Sequence, residues 1–440
     1  MNNNLSAWEK TRKFFNDVHL WLGLGSGIIV FLVCLSGTIY TFNTEIREAA
    51  TPELYKVQYQ AGLRAKPADE LISAVAAASG FPVVSVKVPA DLNRTWQLGV
   101  RMKEGARPTT FFVNPYTAAV VGNSADINSG TITFMTYMFS LHRWLLLDKV
   151  EEPIFGELEN RKLGSYISGG ATILFTIGVI TGMVIWFPRK LRAWKQGFKI
   201  KWKGSWKRTN HDLHNSLGLY ACIFLLLMGL TGPQWSFEWY RTGLRKTLGT
   251  YKPEDAKGGK GGPGKGERGK GEGGKGEGGR GGRSDGRDKP TEEGLAEASA
   301  PALPFAEYER VANEVFKYKG DYVVSLPSKA DAPVNISKFK AGFFAPAAAD
   351  RLTLDPKGKE KIKVERFADM PLNERISASI KALHVGDVYG MFTKIIYFLA
   401  CLIATSLPVT GTLIWLNKMK KKPARKAVTG NKNKLEPQTI

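Results

Sequence analysis

The residues best suited to chemistry in this sequence are its histidines. There are only five of them, and four stand in two pairs of similar contexts. His19 and His214 each end an Asp-hydrophobic-His motif, whereas His142 and His384 each follow a leucine. A neutral imidazole is a common metal ligand, so two pairs of similarly placed histidines could each bind one metal centre. The fifth, His211, stands about one helical turn before His214.

Long apolar segments must position these histidines. Four segments are apolar enough, and long enough, for a helix to cross the roughly 30 Å of a bilayer, which takes about 20 residues. The predicted spans cover residues 18–42, 166–187, 213–235 and 391–416. His19 and His214 stand at the start of the first and third spans, and His142 and His384 precede the second and fourth. The sequence therefore predicts an α-helical membrane protein with four transmembrane helices.

The distribution of charge orients these spans. Basic residues dominate the N-terminal segment 1–17, the loop 188–212 and the tail 417–440. By the positive-inside rule these three segments are cytoplasmic, so the loops 43–165 and 236–390 lie in the periplasm. We therefore expect a multi-pass protein of a bacterial inner membrane, surrounded by membrane lipid, with both termini in the cytoplasm.

The amino-acid composition excludes several other classes of protein. The 440 residues include 62 Lys and Arg against 40 Asp and Glu, a net charge of +22. Because the basic residues near the spans act as topological signals, we expect no nucleic-acid partner. A hydrophobic share of 43% excludes a disordered chain, and a total of three cysteines excludes a disulfide scaffold.

Both long loops have a helix-then-sheet pattern. In the first loop, a helix-like stretch at 66–80 is followed by three strand-like stretches, and in the second a helix candidate at 304–320 precedes four. We expect two small periplasmic α+β units. The stretch 257–289, rich in Gly, Lys and Glu, cannot bury a core and is predicted to be a flexible tether.

The spans repeat. Aligning His19 with His214 also aligns Gly23 with Gly218 without a gap. Further matches are Asp17 with Asp212, Ser36-Gly37 with Thr231-Gly232 and, between spans two and four, Thr181-Gly182 with Thr410-Gly411. This pattern predicts a duplication of one span, outer unit and second span. Because both halves have the same orientation, a pseudo-two-fold axis should run along the membrane normal.

This symmetry leads to a specific hypothesis about which histidines face each other. Such an axis would make His19 face His214 near the cytoplasmic surface and His142 face His384 near the outer surface. Two imidazoles that point at a shared axis are what a bis-histidine haem requires, with the iron between them. Neither pair has the third or fourth protein ligand of a zinc site, and no C-x-x-C-H motif indicates covalent haem. We therefore expect two haems b with these four histidines as axial ligands.

Small and charged residues near the pairs extend the predicted sites. Gly23 and Gly218 follow their histidines by about one turn, where a small residue would let a flat macrocycle approach, although such residues also serve ordinary helix packing. Three arginines could pair with haem propionates: Arg12, Arg143 and Arg208. Three roles stay open for His211, namely a hydrogen bond to a propionate, ligation in place of His214, or a solvated side chain.

Two such haems would carry electrons across the membrane. Bis-histidine iron has no open position for a substrate, so the haems would act as relays, and no catalytic residue is singled out. No Gly-rich dinucleotide motif is present, which argues against bound NAD(P)H. The basic cytoplasmic face would suit reduced flavin or an acidic flavoprotein as the electron donor.

Several motifs follow a known family pattern. They are DVHLWLGLGSG, LHRWLLL, GMVIWFPRK, HDLHNSLGLY and a Leu-His pair before the fourth span. With VVSVKVP and FFVNPYTAAVVG in the first outer loop, they resemble the PepSY-associated transmembrane family, whose members include inner-membrane ferric-siderophore reductases of the ferrioxamine type. The resemblance implies a four-helix haem b core, PepSY-like periplasmic units, and delivery of electrons to siderophore-bound iron(III), which is released as iron(II). Residue by residue, it implies the ligands His19, His142, His214 and His384.

Two other functions remain open from the sequence. A transmembrane b-type cytochrome could serve a quinol, a thiol or another redox partner instead of a ferric siderophore. Alternatively, a PepSY-type membrane protein could regulate peptidases without being an enzyme, and its histidines would then be structural.

Overall fold

The structure of the protein is a computed structural model that describes residues 6–102, 108–187, 194–253, 303–327, 332–355 and 360–420. The predicted tether 257–289 lies outside the described residues, as do parts of the basic segments 188–212 and 417–440. In the described residues the α-helices are, in chain order, α1 (Ala7–Tyr40), α2 (Asn43–Ala50), α3 (Pro52–Tyr55), α4 (Ala68–Ser79), α5 (Gly130–Trp144), α6 (Asn160–Trp186), α7 (Trp194–Gly197), α8 (Trp206–Thr231), α9 (Glu238–Thr247), α10 (Phe305–Val315), α11 (Leu372–Val385) and α12 (Gly390–Met419). The strands are β1 (Val83–Val88), β2 (Trp96–Val100), β3 (Thr109–Val113), β4 (Val120–Asn123), β5 (Gly320–Ser325), β6 (Val334–Lys340), β7 (Asp350–Leu354) and β8 (Lys361–Glu365).

Four of these helices are long and apolar enough to cross a membrane: α1, α6, α8 and α12. Helix α1 packs against α6 and α12, and α8 packs against the same two helices. Helix α1 begins well before the predicted span at 18, because Ser6 and Glu9 form a capping box that starts the helix in its polar segment. Hydropathy locates the part of a helix that suits the bilayer, whereas capping residues set where the helix begins.

The two long loops, 43–165 and 236–390, contribute to one sheet. Its eight antiparallel strands follow the order β4-β3-β2-β1-β5-β6-β7-β8, so β1 of the first loop pairs with β5 of the second, with Val86 opposite Val324. Helices α4 and α10 pack on this sheet, and their fully buried Leu71 and Tyr308 share one apolar core with strands of both loops. The sequence predicted two α+β units. Joining them through β1 and β5 leaves neither strand with an unpaired edge.

Two shorter helices connect the sheet to the long helices. Helix α5 follows the first half of the sheet and packs against α1 and α6. Helix α11 follows the second half and packs against α8. These two helices carry His142 and His384, so the fold brings these two histidines to the ends of the long helices.

Candidate functional site

One pair of histidines meets between α1 and α8. The ring centroids of His19 and His214 lie 6.2 Å apart, and the ring planes are inclined by 77°. Nδ1 of His19 lies 2.9 Å from the carbonyl oxygen of Gly178 and 3.1 Å from the hydroxyl of Thr181, both on α6. Nδ1 of His214 lies 2.9 Å from the hydroxyl of Thr410 on α12. In each ring, Nδ1 therefore contacts a neighbouring long helix.

The second pair meets between α5 and α11 with nearly the same spacing. The ring centroids of His142 and His384 are 6.2 Å apart, with planes inclined by 56°. Nδ1 of His142 lies 2.9 Å from the carbonyl oxygen of Val33 on α1, and Nδ1 of His384 lies 3.0 Å from the hydroxyl of Thr231 on α8. The indole of Trp235 packs edge-on against His384, with centroids 4.8 Å apart. Like the first pair, these rings are anchored on the long helices.

A glycine lies against the Cε1 edge of every one of the four rings. A Cβ atom built on Gly182 would lie 3.2 Å from Cε1 of His19, and one on Gly411 would lie 3.2 Å from Cε1 of His214. The corresponding distances are 3.0 Å for Gly37 against the ring of His142 and 3.4 Å for Gly232 against that of His384. At Gly37, Gly182 and Gly411 such a Cβ would be closer than an ordinary contact, so the ring would have to shift by a few tenths of an ångström, whereas at Gly232 it would lie at ordinary contact distance. The absence of a side chain at these glycines therefore leaves room for the rings.

The hydrogen bonds leave one nitrogen of each ring available. An Nδ1 next to a carbonyl oxygen must carry the proton, which places the lone pair of a neutral imidazole on Nε2. The described residues form no hydrogen bond with Nε2 of any of the four rings. Burial lowers the pKa of both His142 and His384, so these rings are neutral at neutral pH. A neutral imidazole with a free Nε2 is the form that binds a metal.

The spacing of the rings fits a metal between them. A metal–nitrogen bond of about 2 Å on each side, with about 1.1 Å from nitrogen to ring centre, puts two imidazole centroids about 6.2 Å apart. Within the described ranges, no group of three or more His, Cys, Asp and Glu side chains could hold a metal ion. The remaining donors would therefore have to come from the ligand itself, as the four nitrogens of a porphyrin do. The residues present fit a bis-histidine haem at both pairs.

The two predicted glycines and His211 do not contact the four histidine rings in one common way. A Cβ on Gly23 would meet nothing within 4 Å, so the helix surface is open there, whereas one on Gly218 would be in ordinary contact with Leu407, at 3.6 Å. The side chain of His211 is half exposed and contacts Asp212 and Asn215, and the structure does not place it between His19 and His214.

The three arginines have protein partners. Nη2 of Arg12 lies 3.4 Å from the carbonyl oxygen of Ile185, and Arg143 lies 5.6 Å from the ring of Trp144. Nε of Arg208 forms an ion pair with the buried carboxylate of Asp212 at 2.9 Å. The charge of Arg208 is thus already balanced. Arg143 directly follows His142 in the sequence.

Comparison with known families agrees with the arrangement of spans. The family described as the PepSY-associated TM region matches residues 17–418. The chain belongs to this family. None of the curated proteins compared with the chain matches it. The matched region contains both histidine pairs, the whole sheet and most of the four long helices of this PepSY-associated protein, and α1 begins before it.

The glycines and hydroxyl residues around the rings were not predicted as site residues in this family member. The sequence nevertheless indicated them, because alignment of the spans matches Ser36-Gly37 with Thr231-Gly232 and Thr181-Gly182 with Thr410-Gly411. Each is a small hydroxyl residue followed by glycine. The structure supplies the reason for that pattern: in three of the four dipeptides the hydroxyl lies within hydrogen-bonding distance of Nδ1, and in all four the glycine admits the ring.

The hydroxyl of Thr410 gives a first prediction. Thr410→Val keeps the shape of the side chain but removes the hydroxyl that lies 2.9 Å from Nδ1 of His214, so the ring loses orientation and basicity. We expect the site of His19 and His214 to bind haem about tenfold more weakly, because the loss of a residue that orients a metal ligand typically weakens metal binding by that much. Transfer of haem to apomyoglobin measures this change. Thr405→Val on the same helix is the control, because Thr405 bonds Thr38 and no histidine; equal haem loss from both variants would contradict the prediction.

Proposed function

We propose that this protein is a di-haem b reductase of the bacterial inner membrane, which passes electrons from the cytoplasm to ferric siderophore in the periplasm. The observation that carries the proposal is the geometry of the two histidine pairs. Both have the same 6.2 Å centroid spacing, both leave Nε2 free, and both hold Nδ1 on a long helix. Two unrelated structural histidine contacts have no reason to repeat this arrangement.

The proposal includes a duplicated four-helix bundle. The same sequence offset relates His19 to His214 and Gly37 to Gly232, and these residues occupy corresponding places in the two pairs. Helix α1 supplies a ring to one pair and a glycine to the other, and α8 supplies the ring of His214 and is followed directly by Gly232 at the other pair. A pseudo-two-fold axis along the membrane normal accounts for both relations.

The two pairs lie near opposite ends of the long helices. Along α1, the distance from His19 to Gly37, against which His142 rests, is about 27 Å at 1.5 Å per residue. This approaches the thickness of the hydrocarbon core, so the pairs would lie in opposite leaflets. With basic segments on the cytoplasmic side, the pair of His19 and His214 would face the electron donor, and we call it the inner pair. The pair of His142 and His384 would face the periplasm, and we call it the outer pair.

The residues of the chain have defined tasks in this function. Haem, when bound, supplies reversible one-electron chemistry with no open coordination position. The four histidines hold it, the hydroxyl and carbonyl groups orient the rings, and the apolar helices exclude water and ions from the path. We propose reduced flavin or an acidic flavoprotein as the donor, because the exposed Lys201 and Lys203 lie on the cytoplasmic loop.

Reduction explains how iron would be released. Siderophore oxygen atoms are hard ligands that suit iron(III), and they hold iron(II) less tightly. One electron taken up by the chelated iron(III) therefore lowers the affinity of the chelator for its metal. The iron is the substrate of this reaction and not a resident cofactor of the chain.

Purified protein is expected to show two haems b per chain. The measurements are a reduced-minus-oxidised spectrum, which should contain the sharp α band of low-spin haem b, and the ratio of haem to protein. Dithionite-reduced protein should then be reoxidised by a ferric siderophore under anaerobic conditions. Absence of the α band would leave the histidines with a structural role, whereas haem that no ferric chelate reoxidises would favour a cytochrome for another redox partner.

A further inference from the structure

A cleft separates the second half of the sheet from α11. It has a volume of about 900 Å³ and is bounded by the ends of α10 and β6, by β8, and by one side of α11. Leu372, Ile376, Ser379 and Leu383 line that side of α11. Their spacing of three and four residues defines a single helix face. A cavity of this size is in the range that encloses a small-molecule ligand.

The cleft is rich in positive charge. Five basic side chains line it: Lys317, Lys340, Lys361, Arg366 and Arg375. None of them forms an ion pair with any residue in the part of the chain that the structure describes. The two acidic residues of the lining are Glu314, which pairs with Arg310, and Asp350, which accepts the backbone N–H of Phe367 at 2.9 Å. Such a surface attracts anions and repels cations.

Aromatic rings accompany these charges. Nζ of Lys340 lies 5.5 Å from the ring centroid of Tyr318, and the guanidinium of Arg375 lies 5.2 Å from that of Phe367. All four residues line the cleft. The cleft therefore offers flat apolar surfaces together with cations, which suits an anion built from aromatic groups better than a small inorganic ion.

The floor of the cleft adjoins the outer histidine pair. Leu383 lines the cleft, and the next residue in α11 is His384, whose ring contacts Trp235 and Thr231. Successive residues of an α-helix point about 100° apart, so the cleft and the imidazole lie on different sides of the same helix. Val388 and Tyr389, also in the lining, directly precede α12. A ligand in the cleft is thus separated from the histidine pair by roughly one helix width, about 10 Å.

We propose that this cleft binds the ferric substrate and selects chelates with net negative charge, such as tris-catecholate complexes. The proposal rests on the proposed function for the fate of the electron, because chelated iron(III) takes up one electron that the donor side of the protein supplies and becomes iron(II). Binding itself requires only the cleft. Charge selection would distinguish this protein from a reductase for cationic ferrioxamine-type chelates.

Binding can be tested separately from electron transfer with gallium(III), which has the charge of iron(III) but is not reduced. Full-length protein in detergent is titrated calorimetrically with trianionic gallium(III) tris-catecholate and with a monocationic gallium(III) trihydroxamate. We expect the trianion to bind at least about tenfold more tightly, with an affinity that falls as salt is added. Lys317→Gln combined with Lys361→Gln should weaken binding of the trianion by about tenfold, since both side chains are exposed and lie in the lining.

The matched control changes the same net charge elsewhere on the periplasmic side. Lys56→Gln combined with Lys162→Gln removes two exposed lysines outside the cleft and should leave the affinity unchanged. Equal affinity for the two gallium complexes, or equal loss in both double variants, would overturn the proposal. So would displacement of the trianion by phosphatidylglycerol in nanodiscs, which would identify a lipid headgroup as the occupant. Protein that binds the gallium trianion but contains no haem would support this site while contradicting the proposed function.

Discussion

His214→Ala is expected to remove about half of the bound haem, whereas His211→Ala leaves the full amount. The ring of His214 lies opposite His19, with its Nδ1 held by Thr410 and its Nε2 free. Without it, a haem between His19 and His214 would lose one of its two protein ligands, while the pair of His142 and His384 is untouched. His211 is half exposed and contacts Asp212 and Asn215 instead of the inner pair.

Haem per chain, measured as the pyridine haemochrome of purified protein, tests this result. The combined variant His214→Ala and His384→Ala should contain almost no haem, because each site has then lost one ligand. A fall to about half in His211→Ala, with full haem in His214→Ala, would make His211 the inner ligand. A complete loss of haem in His214→Ala alone would mean that the two sites do not load independently.

The sequence predicted which histidines pair, because the repeat carried that information. A gapless match between two spans implies symmetry, and symmetry brings His19 and His214 to the same depth. The structure places these rings opposite each other. The orientation of the rings could not be predicted in the same way, since it depends on Gly178 and Thr410, which belong to helices far away in the chain.

The joining of the two loops in a single sheet could not be predicted from sequence patterns, for a related reason. Alternation predicts that β1 and β5 are strands, but it does not say which strand each one pairs with. Val86 and Val324 are far apart in the sequence, so no local pattern shows that they pair. The charged cleft is a further case, because Lys317 and Lys361 acquire a common environment only when α11 packs beside the second half of the sheet.

Each long helix contributes more than one part to the two sites. Helix α1 holds His19 of the inner pair and offers Gly37 to His142 of the outer pair, and α8 holds His214 and is followed directly by Gly232 at the ring of His384. Helices α6 and α12 contribute glycines and hydroxyl groups but no ligand of their own. A shift of α1 or α8 would therefore alter both pairs together, whereas a change on α6 or α12 should act mainly on the inner pair.

Gly182→Val is expected to disrupt the inner site even though it removes no ligand. The Cβ of any larger residue would lie 3.2 Å from Cε1 of His19, and the two methyl groups of valine need more space than that contact leaves. The ring has to move away from α6, and Nδ1 then loses the carbonyl oxygen of Gly178 and the hydroxyl of Thr181. We expect at least a tenfold weaker inner haem site and about half the haem in purified protein.

The matched control is Gly170→Val on the same helix. A Cβ at Gly170 meets nothing within 4 Å, so the variant changes a glycine of α6 to valine without touching a histidine. It should retain two haems per chain, and the measurement is again haem per chain together with the α band of each site. If both variants keep full haem, the glycine is ordinary helix packing and the ring of His19 is not confined by α6. If both lose haem equally, the effect comes from α6 as a whole, and the contact between Gly182 and His19 does not position the ligand.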